Sequence, residues 1–114
     1  MRRQAGHIFY LNVKTMQIGI LKEPEDKRVS IIPDSVKLLI DAQNSVHVEK
    51  SAGEEAFYAD SDYKVIGAEI VSRADVLSKS DMIISISPVE KSDLARLKKS
   101  AVYILKSPSV GASR

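Results

Sequence analysis

The chain has 114 residues, no cysteine and no tryptophan, with 44% hydrophobic residues, 28% charged residues and a formal net charge of +2. That length fits one domain and leaves no room for a second, and the absence of cysteine excludes a disulfide framework and thiolate metal sites. No apolar run approaches the roughly 20 residues that cross a bilayer, and Ile8 to Val13, interrupted by Asn12, is too short for the apolar stretch of a secretory signal. A cytoplasmic protein with no direct membrane insertion is expected.

The positive charge is local. Arg2, Arg3 and Lys14 meet no acid within residues 1–15, so the rest of the chain is close to neutral. With four tyrosines, two phenylalanines and no aromatic inside a basic cluster, the footprint of a nucleic-acid binder is missing. Three segments follow from this reading: an arm over 1–15, a domain over 16–106 and a flexible tail over 107–114.

Within the arm, Ile8 to Val13 could supply an additional N-terminal strand. Met16 to Leu21 is a short apolar run rich in isoleucine and reads as a buried strand. Lys22 to Ser30, dense in charge and carrying Pro24, is a loop. Pro33 suits the first turn of a helix, where its missing N–H is harmless. Asp34 and Ser35 in that turn are placed to meet free backbone donors, and Val36, Leu39 and Ile40 have the spacing of one buried helical face. Asn44 stands where a left-handed residue should end this helix.

Ser45 to Glu49 alternates as a second strand, and Lys50 to Ala59 is a loop. Asp60 is placed to cap a short helix through Ile66, which Gly67 ends with a positive φ. Ala68 to Val71 is a third strand. Ser72 and Asp75 open a helix reaching about Ser80, and Met82 to Ile86 is a fourth strand. After Pro88, Leu94 and Leu97 mark the inner face of a helix over 91–99, closed by Lys98 and Lys99 at its negative dipole end. Ala101 to Leu105 is a fifth strand.

Strands alternating with helices through short connectors call for an α/β fold. The expected form is three-layered, a mainly parallel five-stranded sheet with helices on both faces, flavodoxin-like or Rossmann-like. The glycines are Gly6, Gly19, Gly53, Gly67 and Gly111, so neither a Gly-x-Gly-x-x-Gly turn nor a P-loop exists. His47 lies between two valines with no second ligand at metal spacing, so no metal site is expected. A phosphoacceptor domain is excluded because the third strand ends Ile70-Val71-Ser72, without the aspartate that chemistry requires.

Arg28 stands out. It closes the charged loop after the first strand, where parallel sheets bind ligands, and an arginine there can hold a carboxylate or phosphate through two parallel hydrogen bonds. The plainer alternative is a surface arginine paired with Glu25 or Asp26.

Met16 to Val29, Ile32-Pro33, Val48 to Glu54, Gly67 to Val71 and Ser80 to Pro88, in that order, resemble the opening of the alanine dehydrogenase/pyridine nucleotide transhydrogenase family over residues 16–108. The resemblance implies that Arg28 is the signature arginine that binds the substrate carboxylate in the dehydrogenases. It implies a catalytic lysine just before the proline that ends the fourth strand, where this chain has Ser85-Ile86-Ser87-Pro88. That departure fits the transhydrogenase branch and its alpha subunit. Ile32 stands where the family has threonine, and cannot cap.

The resemblance further implies that the NAD-holding domain, and a helix completing this first domain, come later in the family's chains. The 114 residues should then bind no cofactor alone and be non-catalytic, with NAD(H) and NADP(H) serving the complete enzyme. Its partners would be the remaining alpha-subunit segment and a beta subunit, in a homo-oligomer peripheral to the membrane. Two other expectations stand beside this one: a non-enzymatic association module, and the first domain of an alanine dehydrogenase.

Overall fold

A computed structural model describes residues 15–24 and 26–106. The arm with its expected extra strand, and the tail, lie outside the described residues. Chain order is β1 (Gln17–Ile20), α1 (Pro33–Asp41), β2 (Ser45–Glu49), a 3₁₀ turn (Glu54–Ala56), α2 (Asp60–Lys64), β3 (Glu69–Val71), α3 (Arg73–Lys79), β4 (Met82–Ser85), α4 (Lys91–Leu94) and β5 (Val102–Leu105). The five strands form one sheet in the order β3-β2-β1-β4-β5, and every pairing is parallel.

Each strand is joined to the next by a helical crossover, so the sheet acquires two helical layers. Strand alternation sends Ile18 and Ile20 to one face, where they join Val36 of α1, Val46 and Val48 of β2, and Tyr63 of α2 in one buried cluster. The opposite face holds Leu21 and Ile83 against Val76 and Leu77 of α3. Gly19 belongs to this second face. A Cβ there would fall 2.7 Å from both Ile83 Cδ1 and Val76 Cγ1 and closer still to Ser80 Oγ, so the glycine lets α3 sit tight on β1.

The helix ends correct several expectations. Gln43 rather than Asn44 takes the left-handed position, at φ 75°. Asn44 is better used as a bridge: its Nδ2 donates to Leu39 O at 3.0 Å, and its Oδ1 accepts from Met16 N. Asp60 is not a cap but the first residue of α2, and its Oδ1 accepts from Ser51 N at 2.9 Å. The Ala59 N–H is taken instead by Asp62 Oδ2 at 2.8 Å. Ser72 does cap α3, accepting from Asp75 N, and Gly67 has the positive φ expected of it. Neither Asp34 nor Ser35 caps α1, whose cap position is Ile32, with no side-chain bond.

The last helix is shorter than the 91–99 read from its leucines. It spans only Lys91–Leu94, with Leu94 exposed and Asp93 buried in its place. Lys98 leaves the helix end and pairs with Asp81 at 2.9 Å. On the α1/α2 face, β5 lies beyond helical cover: Val102 and Ile104 stay 49% and 40% exposed.

Candidate functional site at the carboxyl ends of the strands

β1 and β4 are neighbours whose outgoing chains leave for opposite faces, so their loops part and leave a crevice beyond the strand ends. Open α/β sheets bind ligands at such a switch point. The side chain spanning this one is Glu23. It is 4% exposed, and its two carboxylate oxygens accept the backbone N–H groups of Ile86 and Ser87, each at 2.8 Å. A buried carboxylate is tolerable only where donors meet it, and here two do.

The loop after β1 is fastened at both ends. At its start, the Lys22 N–H donates to Glu49 Oε1 at 2.8 Å, and the Lys22 carbonyl accepts from Arg73 Nη1 at 3.3 Å. Arg73 also pairs with Glu49 at 2.9 Å and with Asp93 at 2.7 Å, which joins β2, α3, α4 and the loop in one charge network. Hydrogen bonds from Arg73 hold the Asp93 carboxyl below the usual carboxylate range, and Asp93 in turn raises the Arg73 guanidinium. A cleft of about 310 Å³ lies beside this network, bounded by Pro24, Arg73, Pro88, Glu90 and Asp93.

At the loop's far end, Ser30 Oγ donates to Ile84 O at 3.0 Å, and Lys106 Nζ donates to Ser30 O at 2.8 Å. Tyr63 OH donates to Ile31 O at 2.9 Å, and burial pushes that phenol far above its ordinary range.

Arg28 sits at the exposed tip between these pins. Its Nε and Nη2 reach Asp26 Oδ1 and Oδ2 at 2.9 and 2.6 Å. This is the surface pairing weighed from the sequence, and it pulls the Asp26 carboxyl down to about 2. At the end of β4, Ser85 is buried and donates to Ser87 O at 2.8 Å, with Tyr103 OH at 3.0 Å. Tyr103 OH also accepts from Val89 N at 3.1 Å, so the serine and tyrosine brace the turn into α4.

His47 is remote from all of this. It lies on the α3 face beside Gly19 in the strand register, is buried, and has Nε2 2.6 Å from Gln17 Oε1. Its Nδ1 is 2.9 Å from a Glu69 carboxylate oxygen, without the geometry of a hydrogen bond. Among the described residues, no group of three His, Cys, Asp or Glu side chains is disposed to hold a metal ion. No helix among them is long and apolar enough to cross a membrane.

The profile described as "Alanine dehydrogenase/PNT, N-terminal domain" matches residues 19–110, most of the chain. The chain belongs to this family. Alanine dehydrogenase 2 of Staphylococcus aureus strain Mu50 is 35% identical over 89 residues, 76% of this chain and 24% of that protein. Among solved structures, a transhydrogenase from Sinorhizobium meliloti superposes with a TM-score of 0.74 at 26% identity, covering 85% of this chain and 30% of that one. An L-alanine dehydrogenase gives 0.73 at 30% identity, covering 85% and 27%. The chain thus spans about a quarter of the relatives' length.

In this alanine dehydrogenase/PNT domain Arg28 lies in the loop that follows β1, paired with Asp26. Glu23, Arg73 and Asp93 were missed in the sequence, because their burial depends on partners distant in sequence and the charged residues around them give no local signal.

Proposed function

We propose that the chain is the first-domain part of the alpha subunit of a proton-translocating NAD(P) transhydrogenase. The complete enzyme would pass hydride between NAD(H) and NADP(H). The observation that carries this reading is the carboxyl end of β4, where Ser85 stands in the place of a lysine and spends its hydroxyl on Ser87 O and Tyr103, while the neighbouring Lys106 amine is taken up by Ser30 O. Hydride transfer between two nicotinamide rings makes and breaks no C–N bond and polarises no substrate carbonyl. The interconversion of alanine and pyruvate does both, and needs a positive charge or acid at that carbonyl.

On this reading the chain holds no nucleotide alone. A pyrophosphate would require close backbone approach at the end of β1, where the chain runs Leu21-Lys22-Glu23-Pro24 without a glycine. The Ile86 and Ser87 amides near the crevice are already engaged by Glu23. NAD(H) and NADP(H) binding, and the beta-subunit partner, therefore fall to the remainder of the enzyme. Arg28 contributes an oxyanion contact at the mouth of the cleft between the two parts.

The test is reconstitution. The chain alone should leave NADH fluorescence unchanged at micromolar concentrations. With the remaining segments added, it should support NADH-driven reduction of an NADP analogue. Pyruvate-dependent NADH oxidation would overturn this in favour of an alanine dehydrogenase, a reading that the 35% identity to alanine dehydrogenase 2 favours. The half-exposed Val102 and Ile104 favour an association role for the β5 edge under either reading, in a homo-oligomer or against the rest of the enzyme.

A further inference from the structure

We propose that Asp26 is an internal ligand of Arg28, a stand-in for the oxyanion the arginine is built to receive, and that it selects which anions enter. The inference rests on the reading of Arg28 as an oxyanion contact. Its ground is the geometry at the loop tip. Both Asp26 oxygens face the guanidinium in the two-pronged arrangement a bound carboxylate or phosphate would adopt, at 2.9 and 2.6 Å. Asp26 Oδ1 also accepts the Arg28 backbone N–H at 2.9 Å, so the acid is fixed to the chain it occupies rather than meeting the arginine by chance. Among the described residues, every hydrogen bond of the Arg28 side chain goes to Asp26.

The chain is held at Lys22 and Glu23 on one side of the pair and at Ser30 and Ile31 on the other. The arginine therefore presents a closed fork to solvent. A ligand that takes it must replace two parallel bonds at once and tolerate the displaced carboxylate nearby. A carboxylate or phosphoryl group offers two oxygens at the required spacing; a halide offers one contact and leaves a donor unmet.

The Arg28 and Asp26 side chains are 57% and 20% exposed, so the self-contact is a light lock, holding back a competing oxyanion by about two- to fivefold. It is a filter against weak single-point anions rather than a barrier to the right ligand.

The experiment follows the backbone amides of residues 26–28 by NMR at pH 7 and constant ionic strength, in titrations with inorganic phosphate and with chloride. The wild-type chain should respond saturably to phosphate and scarcely to chloride. Asp26→Asn keeps an oxygen for the Arg28 backbone N–H, so the turn survives while the charge is gone. It should reach half-saturation at two- to fivefold lower phosphate and gain a response to chloride, and Arg28→Gln should respond to neither. Identical phosphate curves for Asp26→Asn and wild type would overturn the internal-ligand role while leaving Arg28 an oxyanion contact. A response that persists in Arg28→Gln, or no saturable response in either of the other chains, would overturn both.

Discussion

Replacing Glu23 by glutamine changes one atom and should destabilise the fold more than most surface changes several times larger. The carboxylate offers an acceptor oxygen to each of the Ile86 and Ser87 amides, at 2.8 Å apiece, inside a site only 4% exposed. An amide keeps one of those oxygens and turns an NH₂ group on the other N–H, so one bond is lost and two donors face each other in a buried place. Hydrogen bonds to a charged acceptor contribute about 1.5–3 kcal/mol, and a stranded buried donor costs about 1–3 kcal/mol. Glu23→Gln should therefore cost about 2–3 kcal/mol. For a domain of this size that is a fall in Tm of about 10–20 °C. Because the two side chains have nearly the same volume, no cavity complicates the comparison. Thermal unfolding by circular dichroism gives the stability change, and amide hydrogen exchange shows whether Ile86 or Ser87 is the one released. A stability change under about 0.5 kcal/mol with both amides still protected would refute the reasoning.

Gly19→Ala should cost about 1–3 kcal/mol by overpacking, since the new methyl group falls 2.7 Å from Ile83 Cδ1 and Val76 Cγ1; urea unfolding would measure it. Arg73→Met leaves Asp93 and Glu49 without their cation and should cost about 3 kcal/mol at neutral pH. The same variant tests the acid limb. The Asp93 carboxyl is depressed in the fold, so its contribution is complete above the ordinary carboxylate value of about 3.9 and is lost as pH falls through the lower folded value. Stability measured down that range should fall in the wild type and fall less steeply in Arg73→Met. Phe57→Gly should stabilise by about 0.5–1 kcal/mol, because Phe57 holds a φ of 69° while its ring is 94% exposed and contributes no burial. A lower Tm for that variant would show that the ring packs after all.

The elements whose signal is local were legible in the sequence. Ile18 and Ile20 alternate with Gly19, Val46 and Val48 alternate with His47, and Ser72 sits one residue before α3, so period and capping chemistry settle them within a few residues. What escaped was set by partners far along the chain. Asp93 turns inward because Arg73, 20 residues earlier, receives it, and nothing between Pro88 and Ser100 announces that. Leu94 and Leu97 consequently pointed to a longer helix than the one that forms. Glu23 sits in a run of charge that composition reads as solvated, and only the register of β1 beside β4 puts it under the amides of the next loop. The left-handed residue moved from Asn44 to Gln43 for a similar reason: the asparagine's two polar atoms are claimed by Leu39 and Met16, the latter 28 residues away in sequence.

The pins at Lys22–Glu23 and at Ser30–Ile31 separate the sheet from what happens between them. With its two feet fixed to neighbouring strands, the intervening segment is a span whose length can change at little thermodynamic expense, because closing a longer span adds only a slowly growing entropy term. Residues inserted between Pro24 and Val29 would carry the arginine outward or sideways while β1 keeps its register. The reach and direction of that side chain are thereby adjustable in a few codons, independently of the scaffold that supports it.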